Sequence, residues 1–114
     1  MSDTRKPEHS IDLREYVEED LDPLPPEIDH TLTLLRLLVQ ALVDNPRVTQ
    51  VQAVCGSHSV IFEVQVAQDD IRRVIGRKGR TAHALRDILL NLGAKVRRRF
   101  LLEILEPSEP NDGL

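Results

Sequence analysis

The chain has 114 residues and a formal net charge of −4, which suits one domain with some residues left over for tails. Its aromatic residues are Tyr16, Phe62 and Phe100, so the core must be largely aliphatic, and an aromatic stacking platform for single-stranded nucleic acid is disfavoured. The single Cys55 excludes an intramolecular disulfide, and no window approaches the roughly 20 apolar residues of a membrane span. We therefore expect a cytoplasmic protein that does not enter a membrane.

The charges are divided unevenly along the chain. Residues 1–30 hold ten acidic and three basic side chains, a net of −7, whereas residues 72–99 hold ten basic side chains against Asp87 alone, a net of +9. Such asymmetry is more informative about partners than the total, because an acidic segment can mask a basic surface. The total charge therefore does not argue against a nucleic-acid ligand.

Residues 1–28 are predicted to form an acidic extension. The prolines Pro23, Pro25 and Pro26 close this segment, since proline cannot continue a helix and favours extended structure. Residues 11–21 have apolar side chains that would allow a short helix, but the composition favours a disordered tail.

From residue 29 the hydrophobic pattern is that of a folded domain. Leu and Val recur at helical spacing over residues 32–43, with Asp29 or Thr31 as candidate N-caps and Pro46 just past the end. Residues 48–54 are predicted to form a weakly patterned strand. After a turn, residues 59–67 alternate apolar and polar side chains, which is typical of a half-buried strand.

The second half of the domain begins with a short helix, which Asp69 or Asp70 is expected to open because a carboxylate suits the positive end of the helix dipole. A longer helix is predicted over residues 80–92, with Gly93 as its C-terminal glycine. Residues 95–105 form the last strand, and residues 107–114 a polar tail. The predicted order over residues 29–106 is α-β-β-α-α-β, an α+β domain with helices on one face of a three-stranded sheet.

The element that indicates a function is the sequence Gly-Arg-Lys-Gly at residues 76–79. Two glycines three apart are frequent by chance, but this pair is the whole connection between two helices. Glycine permits a tight turn and a close approach of a ligand's backbone. Such a turn presents the free amides at the start of the next helix to a phosphate, and Arg77, Lys78 and Arg80 add positive charge at the same place.

The alternatives to a phosphate-binding turn are weaker. A plain turn with solvated basic residues would not require three bases within four residues of it. A nucleotide-binding P-loop requires a lysine after the second glycine, whereas Lys78 precedes Gly79. Cys55 and His58 have no second ligand pair at metal-binding spacing, so we expect neither a metal nor another cofactor. No catalytic arrangement stands out from chance, and we expect that the chain is not an enzyme.

The segment from Val74 to Arg80 resembles the signature of KH domains, whose GxxG loop clamps the backbone of four nucleotides. The helix before the first strand and the strand closing the domain resemble the type II, bacterial arrangement. Residues 38–46 and 80–86 are similar to the small single-domain bacterial KH proteins of the KhpA family. The resemblance covers about residues 30–106 and implies binding of single-stranded RNA with low sequence specificity, as an RNA chaperone or post-transcriptional regulator.

The resemblance also implies roles for individual residues. The RNA-binding residues would be Ile75, Gly76, Arg77, Lys78, Gly79 and Arg80. Members of the family self-associate and pair with a larger KH-containing partner of the Jag type. The helix after the loop is implicated in that pairing, so a dimer interface is expected at Thr81, Ala84 and Leu85.

Three alternatives stay open at this stage. Basic residues outside the loop are candidates for secondary RNA contacts: Arg72, Arg73, Arg86, Arg97 and Arg99. A phosphate track beside the loop and a solvated, charge-protected sheet edge explain Arg97 and Arg99 about equally. The acidic extension either folds back over the basic surface or only solubilises the protein. The rival function is that of a protein–protein adaptor which uses the same fold mainly for docking.

Overall fold

The computed structural model describes residues 23–106. Its helices and strands are α1 (Pro26–Leu42), β1 (Gln50–Cys55), β2 (Ser59–Gln65), α2 (Ile71–Ile75), α3 (Arg80–Lys95) and β3 (Arg99–Ile104). This order confirms the predicted α-β-β-α-α-β arrangement and the α+β class. The predicted acidic tail, its alternative short helix at residues 11–21 and the polar tail from residue 107 lie outside the described residues.

The three strands form one mixed sheet in the order β1-β2-β3. β1 and β2 are antiparallel neighbours, joined by a tight turn that the Gly56 N–H closes by donating to the Ser59 carbonyl at 2.7 Å. β3 lies parallel to β2, so the chain must cross from one end of the sheet to the other between them, and α2 and α3 form this crossover. Both outer strands, β1 and β3, are edges of the sheet.

The core lies between the sheet and the helices. Alternate residues of β2, namely Val60, Phe62 and Val64, are fully buried, as the period of two in the sequence predicts. The two Phe rings at the centre, Phe62 and Phe100, meet edge to face with centroids 5.1 Å apart. Helix residues complete a mainly aliphatic core: Ile28, Leu32, Leu35, Val39, Val74, Leu85 and Leu89.

The start of α1 differs from the prediction. The helix begins at Pro26, whose missing N–H costs nothing in the first turn, instead of at a capping Asp29 or Thr31. The Thr31 hydroxyl donates to the carbonyl of Glu27 at 3.0 Å inside the helix and caps nothing. Ile28 is only 1% exposed and belongs to the core, so the domain boundary predicted at residue 29 falls within α1.

The end of α3 also differs. The sequence predicts that Gly93 ends the helix, but this glycine lies inside α3, which continues to Lys95. A Cβ at Gly93 would lie 2.5 Å from the carbonyl oxygen of Arg98 and 3.0 Å from the Phe100 ring, so this glycine permits β3 to approach the helix. Arg97 takes the left-handed conformation of the turn, with φ of 62°. The last strand therefore starts at Arg99 and not at residue 95.

No helix within residues 23–106 has the length and apolar content needed to cross a membrane.

Candidate nucleic-acid interface

The loop between α2 and α3 has a backbone conformation that depends on its glycines. Gly76 has φ of 81° and ψ of 169°, and Gly79 has φ of 76° and ψ of 12°. Between them a single tight turn, Arg77–Gly79, is closed by the Gly79 N–H, which donates to the Gly76 carbonyl at 3.0 Å. Lys78 is itself left-handed, with φ of 56°. Three of the four loop residues thus have positive φ, which is costly for residues other than glycine.

The two glycines are required for different reasons. A Cβ on Gly76 would lie 2.2 Å from the hydroxyl oxygen and 2.7 Å from the backbone nitrogen of Thr81, so this glycine lets α3 start directly behind the loop. A Cβ on Gly79 would meet nothing within 4 Å. Gly79 is therefore needed for its conformation alone, and its open side leaves room for a ligand. The contact between Gly76 and Thr81 was not predicted from the sequence. Thr81 was expected only in a dimer interface.

Positive charge and the start of α3 coincide at the loop. The side chains of Arg77, Lys78 and Arg80 are exposed, and none of them has an acidic partner within the described part of the chain. α3 begins at Arg80 with no side-chain cap and no acidic residue in its first turn. The Arg80 N–H donates to the Arg77 carbonyl, and the positive end of the helix dipole lies at the loop, where it attracts anionic oxygens. Ile75 and Gly76 are half-buried beside these charges.

A buried carboxylate holds α2 in place behind the loop. Asp70 is 0% exposed, and its carboxylate accepts hydrogen bonds from the backbone N–H groups of Asp44 and Asn45 and from the Asn45 side-chain amide, each at 2.9 Å. Burial opposes ionisation, but these hydrogen bonds and the nearby Arg73 guanidinium outweigh it and hold the pKa of Asp70 below its usual range. Asp70 does not cap its own helix as predicted, since it joins α2 to the segment that follows α1.

The predicted secondary contacts beside α2 differ in their availability. The Arg73 guanidinium lies 2.8 Å from the Asp44 carboxylate and 3.3 Å from that of Asp70. Arg73 is therefore paired within the domain and is less available to RNA than Arg72. Arg72 is exposed and, with Gly76, lines an open depression next to the loop.

Arg86 lies along the helix that follows the loop. It is seven residues after Gly79, hence two turns further along the same face of α3. This side chain lines a cleft between α3 and the edge strand β3. The cleft is lined by Arg86, Leu90, Phe100, Leu101 and Leu102.

Arg97 and Arg99 lie far from the loop. Both follow the C-terminal end of α3, whose 16 residues span about 24 Å. The loop and this cluster occupy opposite ends of α3, so a phosphate track that includes both would have to run the length of that helix. Neighbouring Arg98 points towards α1 and lies 4.0 Å from the carboxylate of Glu27.

The predicted dimer-interface residues belong to the other side of α3. Leu85 is 5% exposed and part of the core, Thr81 packs behind Gly76, and Ala84 is exposed. Next to them a small apolar groove separates α1 from α3, and it is lined by Thr31, Leu34, Leu35, Leu38, Leu85, Ile88, Leu89 and Leu92. Arg86 and Ile88 are about 200° apart around the helix, so the cleft and this groove lie on different faces.

A parallel β2–β3 pair, a crossover of two helices and a GxxG loop joining them define a type II KH domain. A family model described as "KhpA/KhpB, KH domain" matches residues 33–104. The chain belongs to this family, as the resemblance predicted.

Curated relatives agree with the family model. RNA-binding protein KhpA of Chlamydia pneumoniae is 38% identical over 72 residues, which is 63% of this chain and 92% of that protein. RNA-binding protein KhpA of Borreliella burgdorferi is 38% identical over 80 residues, 70% of this chain and 98% of the relative. The protein of the same name from Aquifex aeolicus is 40% identical over 73 residues, 64% and 92% of the two chains. No solved structure matches the chain.

Proposed function

We propose that this protein binds single-stranded RNA through the loop at residues 76–79. The observation that carries the proposal is the coincidence of an open, glycine-shaped turn, the uncapped start of α3 and three exposed basic side chains. The relatives reported above are named as RNA-binding proteins, which supports the same ligand for this chain. That class of protein also agrees with the expectation that the chain is not an enzyme.

The loop acts as a clamp for the RNA backbone. The N–H groups at the start of α3 and the side chains of Arg77, Lys78 and Arg80 contact phosphate oxygens, while Ile75 and Gly76 form the surface beneath the sugar. Phosphate contacts carry no sequence information. A protein that relies on them binds many RNAs, as an RNA chaperone or post-transcriptional regulator of low specificity would.

The cleft between α3 and β3 accepts the bases. Its walls, Leu90 and Leu101, offer apolar contact, and Arg86 at its rim adds a cation for a base edge or a phosphate. β3 is an edge strand, so N–H and C=O groups along its outer side have no strand partner and can pair with base edges. Phe100 lines the cleft but is only 1% exposed, so the cleft offers bases aliphatic walls and no aromatic stacking platform.

Charge reversal in the loop tests this function. The double variant Arg77→Asp/Lys78→Asp keeps the backbone conformation accessible, since Asp tolerates positive φ better than most residues. We expect affinity for a single-stranded RNA, measured by fluorescence anisotropy, to fall at least about tenfold at moderate salt. The single variant Arg77→Asp is also measured. Its control is Arg47→Asp, which makes the same change of charge at an exposed position outside the loop and the cleft. Unchanged affinity of the folded double variant would exclude the loop as the binding site.

A second function is favoured by the apolar groove between α1 and α3. Leu34 and Ile88 line it and are 42% and 43% exposed, and they form part of a continuous apolar surface with Leu38 and Leu92. This surface fits a second copy of the chain in a homodimer, or a larger KH-containing partner of the Jag type. Because it lies opposite the cleft on α3, self-association and RNA binding are compatible.

The oligomeric state tests the groove. We expect Ile88→Glu to shift sedimentation towards a monomer, whereas Val48→Glu, another exposed apolar position in the turn before β1, leaves it unchanged. If RNA affinity were insensitive to salt while Ile88→Glu abolished a partner complex, the adaptor function would be the better description. Phosphate contacts fall steeply in strength with ionic strength, but an apolar interface barely responds. A cytoplasmic location is part of either function.

A further inference from the structure

The turn between α3 and β3 carries a second concentration of positive charge. We name residues 95–99 the distal basic turn; four of these five residues are basic, namely Lys95, Arg97, Arg98 and Arg99. The turn is tightly built, because the N–H groups of Val96 and Arg98 both donate to the carbonyl of Gly93 at 2.9 Å. Its charges therefore sit on a fixed part of the domain and not on a flexible segment.

The four basic residues do not all have the same role. Arg98 is directed to α1, where Glu27 lies 4.0 Å from its guanidinium. Lys95, Arg97 and Arg99 are exposed, and within residues 23–106 none of the three has an acidic side chain within 4 Å. Arg97 is held with φ of 62°, a conformation that Gly or Asn would adopt more easily. An arginine is thus present where the backbone favours a different residue.

The distal basic turn continues the surface that runs from the loop. Gly79 and Arg86 share one face of α3, and Arg86 lines the cleft with Leu101. Arg99 is two residues before Leu101 in β3, so the two side chains lie on the same face of that strand, about 7 Å apart. Arg99 lies outside the lining of the cleft, and an RNA strand that follows the cleft from the loop past Leu101 would come within reach of it at the other end of α3.

We propose that the distal basic turn is a second phosphate-binding site, through Lys95, Arg97 and Arg99, for the same RNA strand that the loop clamps. The inference rests on the proposed function, because it needs an RNA seated at residues 76–79. Its ligand is the sugar–phosphate backbone about 24 Å further along, the length of α3. The protein then binds a longer stretch of RNA than the four nucleotides that a GxxG loop holds.

The experiment compares RNAs of two lengths on the full chain. The variant Arg97→Gly/Arg99→Gln removes two charges, suits the left-handed turn at residue 97 and keeps a polar side chain at the start of β3. We expect it to weaken binding of a single-stranded RNA of about 12 nucleotides by about 10- to 30-fold at 0.1 M salt, from two lost contacts. Binding of a tetranucleotide should change less than about twofold, because the tetranucleotide is held at the loop.

The salt dependence gives a second readout on the longer RNA alone. Loss of two phosphate contacts should reduce the slope of log K against log salt by about 1.4. Arg47→Gln is the control for the effect of overall charge. It should change the slope by no more than about 0.3 and leave the dependence of affinity on RNA length unaltered. Circular dichroism and thermal unfolding verify that each variant is folded.

The outcomes separate the inference from the proposed function. If Arg97→Gly/Arg99→Gln matched the parent protein in its affinity for both RNAs and in its salt slope, the second site would be excluded while the loop function stood. Equal weakening by Arg47→Gln would also exclude it, since the effect would then be one of overall charge. If loop variants left all RNA binding intact, the proposed function itself would fail.

Discussion

The carboxylate of Asp70 accepts two hydrogen bonds from Asn45, one from the backbone N–H and one from the side-chain amide, both at 2.9 Å. The two residues are 25 positions apart, and the contact ties the segment after α1 to the start of α2, one and a half turns before Gly76. The loop is therefore positioned by a buried ionised group, and its geometry depends on that group keeping its charge.

We expect stability to decline in acid partly through Asp70. Its folded pKa is depressed below the ordinary value, so the ionised group contributes stability above the unfolded pKa, about 3.9, and loses it as pH falls through the folded value. Asp70→Asn should flatten the dependence of the unfolding free energy on pH between about 5 and 2. At pH 7 it should lower Tm by about 5 to 10 °C, because the NH₂ group of the new amide cannot accept hydrogen bonds from the N–H donors of Asn45. Asp69→Asn, its exposed neighbour, is the control; if its acid profile matched that of Asp70→Asn, Asp70 would have no special role.

The two loop glycines should respond differently to substitution. Gly76→Ala should cost at least about 2 kcal/mol, because the new methyl group meets Thr81 and the backbone lies in a region almost exclusive to glycine. Gly79→Ala should cost about 1 kcal/mol, and Gly79→Asn less, since only the left-handed conformation must be kept. Urea unfolding monitored by circular dichroism measures the three values. Equal costs for Gly76→Ala and Gly79→Ala would contradict the close contact with Thr81.

Gly93→Ala should destabilise the protein although it places a better helix former in α3. Helix propensity alone predicts a gain of up to about 1 kcal/mol. The methyl group would lie 2.5 Å from the Arg98 carbonyl oxygen, so we expect a net loss of about 1 to 3 kcal/mol. In the control Gly56→Ala the Cβ lies 3.4 Å from the nearest oxygen, an ordinary contact, and stability should change by less than about 0.5 kcal/mol. A more stable Gly93→Ala variant would show that β3 can move away from the helix.

The acidic residues before the domain should reduce RNA affinity at low salt. Residues 1–22 hold eight acidic and three basic side chains, a net of −5, and they join the domain close to α1, where Glu27 neighbours Arg98 of the distal basic turn. A chain starting at Pro23 should bind RNA several-fold more tightly than the full chain near 0.02 M salt. The difference should disappear near 0.5 M, where charges are screened within a few ångströms. Equal affinities at low salt would favour a segment that only solubilises the protein.

The order of elements and the location of the loop were accessible from the sequence. The periods of 2 and 3.6 in the apolar residues reflect which face of each strand or helix is buried, and that is a local property. Gly76 and Gly79 between two helical patterns likewise indicate a turn through the conformations that glycine alone adopts easily. The basic residues around these glycines indicated an anionic, phosphate-bearing ligand.

The tertiary structure decided what depends on contacts between distant parts of the chain. Gly93 has the pattern of a helix end, but the approach of the Arg98 carbonyl gives it a different role and moves the left-handed turn to Arg97. Asp70 has the pattern of a helix cap, yet its partners lie 25 and 26 residues away. The two basic clusters are close in sequence, but a rigid helix of 16 residues keeps them about 24 Å apart. Sequence spacing shows which residues share an element, whereas only packing determines which surfaces they share.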